Sequence, residues 1–197
     1  MDPSKSVKTD NAVEKRETIA WALYQCLSEQ GQERISIKKI ALKAGLPQGV
    51  IHYYFSSKDE IISYLAEAII ERFSALFYEQ LENIDNEQQL SFMIDYIVDV
   101  LIFNRELNQV FYNLVQMTFE RESLRKVMST MLQNYREKMA DIFRKHWAHN
   151  ASHDIGAALV AITEGFTLQV LIDPESFKPE TVREIIKQRF HDLMCID

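Results

Sequence analysis

The stretch from Ser36 to Phe55 constrains the fold more than any other part of the chain. Ser36 can cap a short helix with apolar residues at helical spacing, and Gly45 supplies the positive φ that a tight reversal needs. Pro47 suits the first position of a second short helix. Two short helices joined by such a turn form a helix-turn-helix unit, whose second helix enters the major groove of DNA. The stretch therefore predicts a DNA-binding unit.

A longer helix is expected before this unit. Asp10 or Asn11 can cap it, and Gly31 is placed to end it. Residues 1–10 are polar and are predicted to be a flexible arm, and residues 11–56 are predicted to be the DNA-binding domain. Its three helices are expected to share one apolar core, which comprises Ile19, Leu23, Leu27, Ile37, Ile40, Val50 and Phe55.

The remainder of the chain is also predicted to be helical. Only five glycines and four prolines are present, and apolar residues recur at helical spacing almost throughout. Ser57 and Glu60 have the spacing of a capping box that opens a long fourth helix. Further helices follow, with breaks expected near residues 83–87, 105–108, 120–123 and 149–152. The fold class is therefore all-α.

The chain has a net charge of −7, and the distribution of this charge explains why DNA binding is still possible. Residues 1–60 carry nine Lys and Arg against eight Asp and Glu, whereas residues 61–197 carry 13 against 21. A weakly basic first domain on an acidic body is compatible with phosphate contact from one face. The balance predicts modest non-specific affinity for DNA.

The sequence favours a cytoplasmic protein without a membrane partner. It contains no run of about 18 uncharged apolar residues, and Met1–Asp10 lacks the apolar core of a signal peptide. The two cysteines, Cys26 and Cys195, do not form a CxxC pair, which fits a reducing compartment. Cys26 falls on the apolar face of the first helix and is expected to behave as a small hydrophobe.

Neither a cofactor nor an enzyme activity is predicted. His146, His149 and His153 have a loosely metal-like spacing, but no Cys or carboxylate cluster completes a site. The glycines are too far apart for a phosphate-binding GxGxxG loop, and no GxSxG or Walker motif occurs.

The residues around the predicted turn resemble the amino-terminal domain of the TetR family of transcriptional regulators. The resemblance extends over about Glu17 to Leu65, a third of the chain, and Ser36 replaces the usual capping Thr. Pro47, Val50 and His52 depart from the family pattern, where Ser, a hydroxyl residue and Tyr are usual. The matching positions are Ile35, Ile40, Ala41, Ala44, Gly45, Gly49, Ile51, Tyr54, Phe55 and Lys58.

The resemblance implies that residues 57–197 form a helical domain for effector binding and dimerisation. It further implies a homodimeric, ligand-responsive repressor that leaves a palindromic operator when a small, largely apolar effector binds. Two heads about one turn of DNA apart would read such a palindrome. The alternative hypothesis is a helical ligand-binding or scaffold protein whose head no longer binds DNA.

Contacts to double-stranded operator DNA are predicted from residue chemistry and from the matching positions. Gln48 and His52 are the candidate readers of base edges, and Tyr53 could contact a thymine methyl group or a phosphate. Gly49 lets the helix approach the backbone closely. The predicted phosphate contacts are Ser36, Tyr54 and Lys58.

The body supplies candidates for two further surfaces. Asp95, Asp99 and Glu164 could meet a cationic group of the effector, or could pair, cap or face solvent. The candidate effector pocket comprises Met93, Tyr96, Phe103, Phe111, Tyr112, Met117, Met131, Tyr135 and Phe166. The candidate dimer interface comprises Ile155, Leu159, Ile162, Phe166, Val170, Ile186, Phe190 and Leu193, for which ordinary core packing is the alternative.

Overall fold

The computed structural model describes residues 3–31, 35–147 and 153–194 of the chain. Every element assigned in these ranges is helical, which confirms the predicted fold class. The α-helices are α1 (Pro3–Gln30), α2 (Ile37–Ala44), α3 (Gln48–Tyr54), α4 (Lys58–Glu82), α5 (Asn86–Tyr96), α6 (Arg105–Met117), α7 (Glu122–Trp147), α8 (His153–Ile172) and α9 (Pro179–Met194). A π-helical segment, Ile97–Ile102, continues α5, and a short 3-10 turn, Pro174–Ser176, precedes α9.

The first helix begins at Pro3, earlier than the expected cap at Asp10 or Asn11. Residues 3–10, predicted to be a flexible arm, are thus part of this helix. A proline fits the first turn of a helix, and the polar residues that follow contain no glycine to interrupt it. The carboxyl end agrees with the prediction, because Gly31 has a φ of +70° and donates its N–H to the Leu27 carbonyl.

The chain forms two compact units, and their limits differ from the expected functional boundary after residue 56. The first unit extends to Arg72 and includes Gln109–Met128, and the second comprises Phe73–Asn108 and the residues from Ser129 onward. The core of the first unit includes Ile19, Leu23, Leu27, Ile40, Ile51, Phe55 and Leu65. Ile51 thus occupies the core position that was predicted for Val50. Val50 and Ile37 are both only partly buried.

The core of the second unit is built from the end of α4, α5, α8, α9 and the π-helical segment. Its buried residues include Phe77, Met93, Ile97, Val98, Leu159, Val182, Ile186 and Phe190. The predicted break near residues 83–87 is confirmed, as is the break near 120–123. The break near 149–152 lies outside the described residues.

The π-helical segment was not predicted from the sequence. It ends with the wide hydrogen bond of such a helix, from the Phe103 N–H to the Val98 carbonyl at 3.0 Å. The carbonyl of Ile102 accepts a hydrogen bond from the buried side-chain amide of Asn108 at 2.8 Å. Asn104 then starts α6, since its side-chain oxygen accepts the Leu107 N–H at 3.0 Å. The break thus falls just before the predicted residues 105–108.

Candidate nucleic-acid interface

The turn between α2 and α3 has the geometry that its sequence predicts. The Ser36 side-chain oxygen accepts the Lys39 N–H at 3.3 Å and caps α2. Gly45 ends the helix with a φ of +65°, and the Leu46 N–H closes the turn on the Ala41 carbonyl at 3.0 Å. This is the glycine-ended helix terminus of a helix-turn-helix unit.

Helix α3 presents most of its surface to solvent. Pro47 is the residue that precedes the first helical turn rather than the first helical residue, a shift of one position from the prediction. Ile51 is fully buried and fixes α3 in the first unit. Of the predicted contact residues on α3, Gln48, Gly49, His52 and Tyr53 are exposed and Tyr54 is partly buried.

The two tyrosines at the end of α3 contact each other. Their ring centroids lie 5.0 Å apart with perpendicular planes. Tyr53 is 82% exposed, so its ring and hydroxyl are accessible to a binding partner. Ser36 is also exposed, so the residues predicted to contact DNA lie on α3 and at the start of α2.

Lys58 lies at the start of α4 and is partly buried. Its Nζ atom donates to the Ile35 carbonyl at 3.4 Å, which leaves two of the three ammonium protons for other partners. The position therefore allows both the predicted phosphate contact and a structural role at the start of α2.

The amino terminus of α4 is capped by two neighbouring serines. The Ser57 hydroxyl accepts the Glu60 N–H at 3.1 Å, as the predicted capping box requires. The Glu60 carboxylate, however, accepts from the backbone and hydroxyl of Ser56, both at 2.8 Å. These hydrogen bonds hold the pKa of Glu60 below its usual range, against the effect of burial.

Arg16 on α1 connects these elements and was not singled out by the sequence. Its Nη1 donates to the Tyr54 carbonyl at 2.7 Å, and its Nη2 pairs with Glu60 at 3.1 Å. Its guanidinium also lies over the Phe55 and Tyr64 rings, 4.1 and 4.8 Å from their centroids. Because these partners are 38 or more residues away along the chain, no local pattern could have predicted the contacts.

The residues predicted for the effector pocket divide between the two units. Phe111, Tyr112 and Met117 belong to the first unit, and Met117 is buried in its core. Met93 is fully buried in the core of the second unit, against which Tyr96, Phe103, Tyr135 and Phe166 pack. Within the second unit, Phe77 stacks on Phe92 and contacts the edge of the Tyr96 ring.

Two of the three acidic candidates form ion pairs on the surface. Arg183 contacts both Asp95 and Asp99, each at 2.8 Å. This supports their alternative interpretation as paired surface residues rather than as pocket residues. Glu164 is partly buried and lies near Tyr135, whose hydroxyl is enclosed in the second unit. Burial is the main cause that raises the pKa of Tyr135.

The eight residues predicted for the dimer face differ in their burial within the protomer. Leu159, Val170, Ile186 and Phe190 are buried in the core of the protomer itself, which favours the alternative of ordinary core packing for these four. Ile155, Ile162 and Phe166 pack partly against that core, and the side chain of Leu193 lies outside the described residues. The large apolar side chains that α8 and α9 expose are Leu168, Ile172 and Ile185.

One described helix segment, Ile155–Ile172 of α8, is long and apolar enough to cross a membrane by length and composition. A helix that packs on its own core and on a second protein surface has the same composition. The segment contains Glu164, and its Leu159 and Thr163 are buried within the protomer. The three histidines considered for a metal site fall at residues whose side chains lie outside the described ones.

Two family models match the chain. The model described as bacterial regulatory proteins of the tetR family matches residues 22–65. The model described as the carboxy-terminal domain of BetI-type transcriptional repressors matches residues 86–194, more than half of the chain.

Similar proteins agree with these matches. The HTH-type transcriptional regulator PksA of Bacillus subtilis is 23% identical over 193 residues, which cover 93% of this chain and 91% of the relative. A TetR regulator from Haloarcula marismortui superposes with a TM-score of 0.80 at 19% identity, covering 89% of this chain and 96% of the other. A regulator from Saccharomonospora viridis, solved in complex with choline, has a TM-score of 0.77 at 17% identity, covering 89% and 95%.

The capped α2, the glycine turn and the exposed α3 define a helix-turn-helix DNA-binding protein. The matched domains at both ends of the chain place it more closely: the chain belongs to the TetR family of bacterial transcriptional regulators. It is a ligand-responsive, DNA-binding regulator of transcription. The similar proteins named above are regulators of transcription.

Proposed function

We propose that this protein is a cytoplasmic homodimeric repressor that reads a palindromic operator with α3. The observation that carries the proposal is the division of α3 into two sides. Ile51 is fully buried in the first unit, whereas Gln48, His52 and Tyr53 are exposed. A short helix anchored from one side and polar on the other is suited to the major groove.

Each exposed residue of α3 has a role that its chemistry supports. The Gln48 amide can pair with adenine, and the His52 imidazole can donate to or accept from a base edge. Tyr53 can place its ring against a thymine methyl group or its hydroxyl against a phosphate. The bare backbone at Gly49 allows close approach to the sugar-phosphate chain.

Phosphate contacts would fix the head on the duplex. Ser36 at the start of α2 and the partly exposed Tyr54 at the end of α3 are two of them, and Lys58 adds an ammonium group at the amino terminus of α4. Because residues 1–60 are nearly neutral, these few contacts would give one head a low affinity. Two heads held about one DNA turn apart would supply the missing affinity and specificity.

The second head would come from a second copy of the chain. Leu168 and Ile172 on α8 and Ile185 on α9 are exposed apolar side chains of the second unit. Surface of this kind is commonly covered by a partner. A dimer through α8 and α9 would cover this surface. Contact with a second copy of the chain, rather than with a membrane, would then account for the apolar composition of α8.

The effector is proposed to be a small, largely apolar molecule bound in the second unit. Tyr96, Tyr135 and Phe166 provide aromatic surface there. The similar regulator from Saccharomonospora viridis was solved with choline, which supports a small-molecule site in this fold. Asp95 and Asp99 are paired with Arg183, which does not favour them as partners for a cationic effector.

Effector and operator would then oppose each other by linkage. If effector binding favours a state in which the heads are wrongly spaced, operator DNA must weaken effector binding by the same factor. Calorimetric titration of an identified effector, with and without operator, measures this factor directly.

The function is tested by selecting bound sequences from a random pool of duplex DNA with the purified protein. A palindromic consensus is expected, and Gln48→Ala and His52→Ala should change or weaken it at a symmetric pair of positions. If folded protein enriches no sequence at low salt, the proposal fails. The remaining hypothesis is then a ligand-binding or scaffold protein whose head no longer binds DNA.

A further inference from the structure

We propose that Arg16 is a positioning residue for operator binding, one that holds the end of α3 against the start of α4. This rests on the proposed function of α3 as the reading helix. Arg16 lies on α1, outside α3 itself, and all of its contacts described here are within the first unit.

The first contact is made at the carboxyl end of α3. Tyr54 is the last residue of this helix, and its carbonyl accepts the Arg16 Nη1 proton at 2.7 Å. The last carbonyls of a helix have no partner within it and carry partial negative charge. A guanidinium at this position satisfies such a carbonyl and complements the helix dipole.

The second contact ties the same guanidinium to α4. Nη2 pairs with Glu60 at 3.1 Å, and Glu60 in turn accepts the Ser56 N–H in the segment between the two helices. The flat face of the guanidinium covers the Phe55 ring at 4.1 Å. One planar group therefore contacts α3, the linker and α4 together.

The small size of α3 makes its orientation dependent on such contacts. It has seven residues, and a helix this short does not hold its shape or direction by itself. Ile51 is its one fully buried side chain. Ile51 fixes the middle of α3, and Arg16 together with the buried Phe55 fixes its carboxyl end, so loss of Arg16 weakens the hold on that end and lets the helix tilt about Ile51. Tilting moves Gln48 and His52 relative to the base edges.

The ion pair is partly exposed, with side-chain exposures of 31% for Arg16 and 37% for Glu60. Pairs of this kind contribute little to folding stability. Substitutions are therefore expected to leave the protein folded while changing how it binds DNA. Far-UV circular dichroism and the thermal midpoint check this for each variant.

The test measures the affinity of each full-length variant for the operator found by selection and for an unrelated duplex. Arg16→Gln is expected to weaken operator binding by roughly tenfold, as for the loss of a charge-assisted hydrogen bond. The matched control is Arg125→Gln, which removes one positive charge from the exposed pair of Arg125 with Glu122 in the same unit. Both variants should bind unrelated DNA equally, with the same dependence on salt as the wild type.

Two further variants separate positioning from charge. Arg16→Lys keeps the charge but lacks the planar fork that reaches two partners, so it should resemble Arg16→Gln. Glu60→Ala removes a negative charge, which by electrostatics alone would tighten binding to all DNA. The positioning role requires weaker operator binding, whereas the control Glu122→Ala should show the electrostatic effect alone.

Three results would overturn the inference. The first is an Arg16→Lys variant that binds the operator as tightly as the wild type, and the second is a Glu60→Ala variant that binds it more tightly. The third is a salt slope reduced by about one unit in Arg16→Gln, which would make Arg16 a direct phosphate contact. Failure of the wild type to select an operator would instead refute the proposed function. The two failures are therefore distinguishable.

Discussion

Gly156 on α8 lies directly against the backbone of Arg136 on α7. A Cβ atom at position 156 would overlap the Arg136 carbonyl oxygen and approach the Ala140 side chain to 3.4 Å. Both helices contribute these residues to the second unit, and Gly156 is buried. Because the obstructing atom belongs to the backbone, no side-chain rotation can make room. The absence of a side chain at Gly156 therefore sets how closely α7 and α8 approach.

Gly156→Ala is expected to lower the free energy of unfolding by about 1–3 kcal/mol, the usual cost of overpacking. Urea denaturation at one fixed protein concentration measures the loss. Gly165→Ala on the same helix is the matched control, because no atom lies within 4 Å of its added Cβ. That variant should be neutral or gain up to about 1 kcal/mol from the lower entropy of the unfolded chain. Equal effects of the two substitutions would contradict the close approach.

Lys58→Ala tests the proposed phosphate contact at the start of α4. Losing one contact should weaken binding to all sequences and reduce the slope of log affinity against log salt by about one unit. Lys126→Ala removes the same charge from an exposed position on α7 of the first unit and should leave the slope unchanged. If the slope is unchanged in Lys58→Ala, Lys58 does not contact a phosphate, and its ammonium group serves only the hydrogen bond to the Ile35 carbonyl.

Gly45 and Gly49 are expected to respond differently to substitution by alanine. Gly45 has a φ of +65°, where an alanine costs about 1–2 kcal/mol, so Gly45→Ala should lower the thermal midpoint. Gly49 has open space around its missing Cβ, so Gly49→Ala should change stability by less than about 0.5 kcal/mol. It should still weaken operator binding, since the new methyl group would face the DNA in the proposed complex. If Gly49→Ala binds the operator with the affinity of the wild type, Gly49 does not lie in the DNA interface.

Tyr96 is expected to make the second unit less stable at alkaline pH. Burial, with a smaller effect of Tyr78, raises its pKa to about 12, whereas the unfolded chain has a value near 10. The stabilisation is therefore complete below pH 10 and is lost as the pH rises from 10 to 12. Tyr96→Phe removes the contribution of Tyr96 to this dependence, while Tyr78, whose pKa burial also raises to about 12, keeps its own, and it removes the hydrogen bond to the Phe73 carbonyl at 2.9 Å.

Urea denaturation of the wild type and Tyr96→Phe at pH 8 and pH 11 measures the effect. The wild type should be more stable at pH 8, by about 1 kcal/mol for the lost hydrogen bond. The difference should shrink or change sign at pH 11. A constant difference between the two pH values would contradict a raised pKa.

The helix-turn-helix unit was predictable because its signals are local. Ser36 caps a turn three residues away, and Gly45 needs only its own backbone conformation. Arg16 was missed because its partners come from distant parts of the chain. The close approach at Gly156 was missed for the same reason, since a glycine in a helix does not reveal which helix crosses it.

The side of α8 that faces a second copy could not be identified from the sequence because α8 is apolar on nearly all sides. Periodicity could not tell which side of the helix packs on the protomer, and it selected Leu159 and Val170, which are buried. Leu168 and Ile172 lie on the exposed side instead. A uniformly apolar helix predicts that every side is covered but not by which partner.

The π-helical segment Ile97–Ile102 makes the second unit sensitive to a change in chain length at this place. Deleting one residue there would restore ordinary α-helical hydrogen bonds but rotate everything before it by roughly 100° about the helix axis. Met93, now fully buried, would turn away from its neighbours. A shortening that a surface loop tolerates would here put the preceding helix out of phase with the core that it helps to form.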